Sequence, residues 1–345
     1  MRSFRTPMAG LTCLFALAAA GCSAGSEGST DAAPAPPKQT SASPSQSTAP
    51  TTATTTYAPY VSVTEASDND PAGSPTTYNL AFVISDGNGC TPKWNGTHAV
   101  GDSTVKSRIS ALTEPGATVR VSFGGASGKE LAAACDSASD LEEAYGAALD
   151  AAGSTQADFD IEGDELTDSD SVDLRSEAIA ALQKERPDLE VTFTLPVMPS
   201  GLDADSLALL ESANEHDVQV ATVNIMTMNY GETYADDMGD YAVTSAKATQ
   251  AQLKKVFGLS DAGAWRGMAL TSMLGVNDVD NETFTLADAA QVRTFAEEKE
   301  IAWVSMWSTF RDQQCADEDA DQDDPLTNCS GVKQSSGAFA EAFSE

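Results

Sequence analysis

The chemistry most visible in this sequence sits in Asp158-Phe159-Asp160-Ile161-Glu162-Gly163. Read as a short buried strand, it sends alternate side chains to opposite faces. Asp158, Asp160 and Glu162 then share one face, and Phe159 and Ile161 share the other. Three carboxylates on one buried face cannot all ionise freely, because desolvation and like-charge repulsion raise at least one pKa. A carboxyl that keeps its proton near neutral pH is what a general acid requires. Packing alone would have placed Val or Ile on that face. The competing reading is a structural carboxylate cluster or a cation site, although calcium would need loop carbonyls and more oxygen ligands.

Such a row needs a rigid frame. Short strand patterns occur at Tyr57–Val63, Tyr78–Ile84, Thr118–Phe123, Ala157–Glu162, Glu190–Leu195, Gln219–Met226, Arg266–Met273 and Ile301–Trp307. Several are Val/Ile/Phe-rich, as buried parallel strands are. Helical spacing falls between them at Ser139–Ala152, Asp170–Glu185, Ala204–His216, Tyr241–Phe257 and Leu286–Lys299. Ser139 or Asp140 is expected to cap the first helix and Asp203 the third. Eight strands with intervening helices predict an α/β fold, a (β/α)8 TIM barrel in a single catalytic domain. An open doubly wound sheet lacks support, because no GxGxxG follows the early strands. In a barrel, Glu162 falls at the C-terminal end of the fourth strand, where barrel enzymes carry their active sites.

The acidic segment resembles the D-x-x-D-x-D-x-E signature on the fourth strand of family 18 glycoside hydrolases, the chitinase family. Asp158, Asp160 and Glu162 match its last three acidic positions, and Thr155 departs from the first. Ser122-Phe123-Gly124-Gly125 matches the family's S-x-G-G on the third strand. Ser122 shares the inner face and is expected to reach Asp158, while Gly124 and Gly125 are expected to let backbone approach the sugar. Met226-Thr227-Met228-Asn229-Tyr230 is similar to the sixth-strand M-x-M-D-Y, with Asn229 in place of the aspartate. Trp307 matches the last-strand tryptophan beneath the reactive sugar. The four matches occur in the family's strand order, and the likeness spans residues 57–312.

The resemblance implies a retaining, substrate-assisted hydrolysis of chitin-type N-acetylglucosamine polymers, with Glu162 as acid/base. Asp160 would orient the acetamido group, Asp158 would share a proton with Asp160, and Tyr230 would hydrogen-bond the attacking carbonyl. Trp307, Ser122, Gly124, Gly125, Met228 and Asn229 would contact or shape the sugar subsite. An asparagine at 229 removes one negative charge near Glu162, which is expected to leave the acid's pKa lower. The interval from Met273 to Ile301 is too short for an α+β insertion, so an open cleft and internal cleavage are expected. Two other readings stay open, an endo-β-N-acetylglucosaminidase acting on N-glycans and a non-catalytic chitin-binding barrel. No chitin-binding module is evident in the sequence outside the barrel.

The formal charge of −33 repels nucleic acid and anionic lipid. It also fits a solubility or salt adaptation. Arg2 and Arg5 precede an apolar run, Gly10 to Ala20, which is too short to span a bilayer. Residues 1–21 therefore read as a lipoprotein-type signal peptide. Ala19-Ala20-Gly21-Cys22 resembles a bacterial lipoprotein signal, which implies that Cys22 is lipidated and holds the protein on the outer face of the membrane. Residues 22–56 are Ser/Thr/Ala/Pro-rich and read as a linker, and residues 57–345 form the catalytic barrel. Cys13 belongs to the signal. Cys90, Cys135, Cys315 and Cys329 form an even set in an oxidising compartment, with Cys90–Cys135 and Cys315–Cys329 the favoured pairing. Without a CxxC, and with only two histidines far apart, no metal or cofactor is expected. A monomer is expected.

Overall fold

The computed structural model describes residues 54–316 and 327–345. The signal peptide with Cys13, the anchor Cys22, the linker as far as residue 53, and residues 317–326 lie outside them. Strand β1 comes in two short pieces, Thr56–Tyr57 and Tyr60–Ser62. It is followed by β2 Thr77–Ser85, β3 Thr118–Gly124, β4 Gln156–Asp160 and β5 Glu190–Pro196. Then come β6 Val220–Met226, β7 Met268–Met273 and β8 Trp303–Trp307. Each barrel strand pairs in parallel with the next.

The break in β1 corrects the single strand read over Tyr57–Val63. Pro59 has no N–H to give to a ladder, so the strand is interrupted there. The first piece pairs with β8 and the second with β2, which closes the barrel. Thr55 already belongs to the barrel rather than to a linker. It is buried, and its hydroxyl donates to the Ile301 carbonyl at 2.8 Å.

Among the described residues one main helix follows each of strands β2 to β8, with shorter helices Asp164–Thr167 and Asp261–Arg266 after β4 and β6. The main helices are α1 Ser103–Thr113, α2 Ala138–Ala152, α3 Ser169–Glu185, α4 Ala204–Glu215, α5 Met238–Phe257, α6 Leu286–Lys299 and α7 Ala338–Ser344. Helix α1 was not anticipated, because only Val105, Ile109 and Leu112 mark its buried stripe. The cap of α2 is Ser137, upstream of the two candidates read from sequence. Its hydroxyl accepts the Asp140 N–H at 3.1 Å and donates to the Asp140 carboxylate at 2.7 Å. Asp203 caps α4 as read.

The apolar core lies between barrel and helices, where the outward row of β4 goes. Phe159 stacks on Phe123 of β3 at 5.3 Å and meets Phe193 of β5 at 5.7 Å, while Tyr145 of α2 covers Phe159 edge-on at 5.0 Å. Burying such rings supplies the main driving force for seating the helices, about 25 cal/mol per Å² of apolar surface. The barrel interior is polar instead, and at its base the buried Arg120 guanidinium lies 4.6 Å over the Trp303 ring. The disulfides pair as expected, Cys90 with Cys135 and Cys315 with Cys329. After β7 the chain forms a small hairpin, Gly275–Val276 against Thr283–Phe284, before α6 begins.

Candidate active site

A pocket enclosing about 530 Å³ of empty space opens at the C-terminal end of the barrel. Asp160, Glu162, Met228, Asn229 and Trp307 line it, as the sequence led one to expect. Sequence reading missed Tyr60, Phe82, Ala126, Thr194, Thr271 and Asp278, which line it too. Strand β4 ends at Asp160, yet Glu162 still faces the pocket before Gly163, at φ +57°, turns the chain away. Trp307 stacks on Phe82 at 5.5 Å. Asn95 holds Phe82 in place, donating to its carbonyl at 2.8 Å and accepting its N–H at 3.1 Å.

Asp158 sits beneath the pocket, wholly buried. Its Oδ2 accepts hydroxyl hydrogens from Tyr60 at 2.7 Å and Ser122 at 2.6 Å, and its Oδ1 accepts one from Thr194 at 2.6 Å. Asn224 donates to the Thr194 hydroxyl and accepts from Thr271, both at 2.9 Å, so the network crosses the barrel. Burial raises the Asp158 pKa, while the three hydroxyl donors and then the Arg120 charge pull it back. Asp160 has no such help. It is buried, its Oδ1 has no hydrogen-bond partner, and its pKa stands well above the usual range through burial and then the charges of Glu162 and Asp158. Both pKa values are raised, that of Asp160 the further, so Asp160 is the member that holds its proton to higher pH. No hydrogen bond joins them among the described contacts.

Glu162 has its pKa pushed up to about 7, first by burial and then by Asp278 and Glu165. The charge that Asn229 does not supply comes from Asp278 instead. The Asn229 amide donates to Asp278 at 3.1 Å and its oxygen accepts the Asp278 N–H at 3.1 Å. A carboxylate borne by the hairpin thus stands beside Asn229, the position at which the family pattern has its aspartate. No periodic element contains Asp278, so nothing local in the sequence singles it out. Asp278→Asn should move the alkaline limb of kcat/KM to lower pH by up to about one unit, and Asn229→Asp should move it upward. Profiles that superimpose on wild type would show that this charge does not reach Glu162.

Two expectations about side-chain placement are corrected. Tyr230 does not reach the pocket. It is 3% exposed, packs against Tyr234 and Tyr241, and its hydroxyl has no hydrogen-bond partner. Alternation from Met226 would have brought Tyr230 inward, but Asn229 is left-handed at φ +54° and turns the next residue outward. Gly124 and Gly125 do not line the pocket. A Cβ on Gly124 would collide with the Asp160 carbonyl, and one on Gly125 would meet the Phe82 ring at 2.9 Å. These glycines make room for the two groups that shape the pocket. Ser122, by contrast, reaches Asp158 as expected.

No protein-family model matches the sequence. The chain is 36% identical over 275 residues to the protein named "Probable bifunctional chitinase/lysozyme" of Escherichia coli K12, covering 74% of this chain and 31% of that protein. It is 34% identical over 274 residues to Endochitinase 11 of Metarhizium anisopliae, covering 74% of this chain and 52% of that protein. The chain therefore spans about a third of the first relative and half of the second. The crystal structure of the catalytic domain of a hyperthermophilic chitinase from Pyrococcus furiosus matches with a TM-score of 0.72 at 30% identity, over 83% of this chain and 93% of that one. A family 18 chitinase from Pseudoalteromonas aurantia matches at a TM-score of 0.54 and 14% identity, over 74% and 94%, which reflects the shared barrel alone.

Proposed function

Because this chain belongs to glycoside hydrolase family 18, the chitinase family, we propose that it hydrolyses β-1,4 bonds between N-acetylglucosamine units with retention. The observation that carries the reading is Glu162, a carboxyl with a pKa of about 7 at the rim of a pocket shaped by Asp160 and Trp307. Below that pH Glu162 protonates the glycosidic oxygen. The substrate's 2-acetamido carbonyl attacks the anomeric carbon to give an oxazolinium, as in the substrate-assisted branch of glycoside hydrolysis. As positive charge builds on that ring, the Asp160 proton passes to Asp158, whose Oδ1 accepts only the Thr194 hydroxyl, and Asp160 accepts the acetamido N–H as a carboxylate. Asp158, fixed by Tyr60, Ser122 and Thr194, keeps Asp160 in position. Glu162, now ionised, takes a proton from the water that opens the oxazolinium. Trp307 supplies an apolar floor for the sugar ring.

Internal cleavage is the mode favoured here. The cleft continues past Trp307 toward Asn95 and Phe310, and past Glu162 toward Pro196, Met198 and Asp203. A polymer can pass through rather than end at a wall. Labelled chitohexaose should be cut at internal bonds to β-configured products, and an N-glycan core should be left intact. Binding of the oligosaccharide without turnover would overturn the hydrolase reading, and release of N-glycans in its place would redirect the substrate. We also infer that Cys22 anchors the protein at the outer face of the membrane. Cys22→Ala should move the protein from the membrane fraction to the medium, and an unchanged distribution would remove the anchor.

A further inference from the structure

The hairpin that carries Asp278 carries a second carboxylate, which does not line the pocket. Glu282 is 1% exposed. Its Oε1 accepts the Gly231 N–H at 2.8 Å, and its Oε2 is buried without a partner. Along the neighbouring turn the amides of Asn229 and Tyr230 also face this carboxyl and oppose the rise that burial imposes on its pKa. The turn is one that needs holding. Asn229 is left-handed at φ +54°, which is strained for a residue with a side chain, and Gly231 follows at φ +117°. Successive amide N–H groups around such a turn form a concave anion receptor.

We propose that Glu282 is a positioning residue, gripping the Asn229–Gly231 turn so that Asn229 meets Asp278 beside the acid Glu162. The inference rests on the hydrolase reading given above. The hairpin is itself braced, since Val276 N–H donates to the Ser330 carbonyl at 2.8 Å, beside the Cys315–Cys329 disulfide. Within the hairpin, Asn277 N–H donates to the Glu282 carbonyl at 3.2 Å and Glu282 N–H to the Val279 carbonyl at 3.3 Å. Asp278 and Glu282 thus move as one unit. One carboxylate meets the asparagine side chain of the turn, and the other holds its backbone. If the grip is lost, the turn is free to relax, the Asn229–Asp278 pair opens, and Asp278 withdraws from Glu162.

The test is a double-mutant cycle of Glu282→Gln with Asp278→Asn, read on the alkaline limb of kcat/KM. Glu282→Gln alone should lower that limb toward the Asp278→Asn value and reduce kcat several-fold. In the Asp278→Asn background it should cause no further shift. Glu282→Asp retains the charge but loses reach, so it should behave like Glu282→Gln, and it carries the comparison if the glutamine variant does not fold. A residue that merely stabilises the fold would lower Tm and leave the limb in place. That result, or limb shifts that add in the double variant, overturns the proposal. Hydrogen exchange of the peptide spanning residues 227–234 reads the same grip without any substrate. Protection at Gly231 should be present in the wild type, weakened in Glu282→Gln, whose amide oxygen still accepts without the charge, and lost in Glu282→Asp; full protection retained in Glu282→Asp overturns the proposal even if the protein hydrolyses nothing.

Discussion

Glu162→Gln should leave the fold intact and lower kcat/KM on a soluble chitooligosaccharide by about 10²- to 10⁴-fold, the usual contribution of a positioned acid or base. The amide keeps the shape of the side chain and cannot give a proton to the leaving oxygen. The same variant should be more stable than wild type, but only where the carboxyl would be charged. Below about pH 4.5 both the folded and unfolded chains carry a protonated Glu162, and the two proteins should melt alike. Between pH 4.5 and about 7 the unfolded chain gives up this proton first, so the folded wild type is increasingly penalised. Above pH 7 the penalty levels off at roughly 3 kcal/mol or less, the equivalent of that rise in pKa. Melting curves at pH 4 and pH 8 check this. A purified variant with near-wild-type turnover removes Glu162 as the acid. Equal Tm differences at the two pH values show instead that its carboxyl is not held neutral by its surroundings.

What the sequence disclosed followed from periodicity. Alternation alone placed Asp158 and Asp160 on the inner face and Phe159 on the outer one, and both placements hold because β4 is regular, with Phe159 meeting Tyr145 of α2. The same logic failed at Tyr230, where one left-handed residue after the strand reversed the direction of the next side chain. Tyr60 was within reach of the argument, since it alternates with Ala58 in β1, and so were Thr194 and Asn224, the polar members of otherwise apolar strands. Reading polar residues in apolar strands as partners of the carboxylate row would have found the network around Asp158. Asp278 and Glu282 could not be found in that way. They lie in a loop with no period, and their roles depend on how the hairpin folds back onto a turn nearly fifty residues earlier.

Two carboxylates one alternation apart should respond oppositely when made amides. Asp158→Asn replaces an acceptor of three hydroxyl hydrogens with a group that itself donates. It also removes the negative charge that faces the buried Arg120, whose remaining partners are the side-chain oxygens of Asn79 and Gln156. The main cost is the loss of a charged acceptor for three buried hydroxyls, about 1.5–3 kcal/mol for each such hydrogen bond not recovered. Asp160→Asn replaces a carboxyl that already keeps its proton and has an unpartnered oxygen, so little is lost. Between the ordinary Asp pKa, about 3.9, and the raised pKa of Asp160 the unfolded wild type gives up this proton first, so Asp160→Asn should gain relative stability across that window and level off above it. Both variants should lose turnover, since the amide at 160 cannot stabilise the oxazolinium charge and the amide at 158 disturbs its support. Urea unfolding at pH 7 separates the two cases. If Asp160→Asn is destabilised as much as Asp158→Asn, the negative charge belongs to Asp160, and the order in which the two carboxyls give up their protons is reversed.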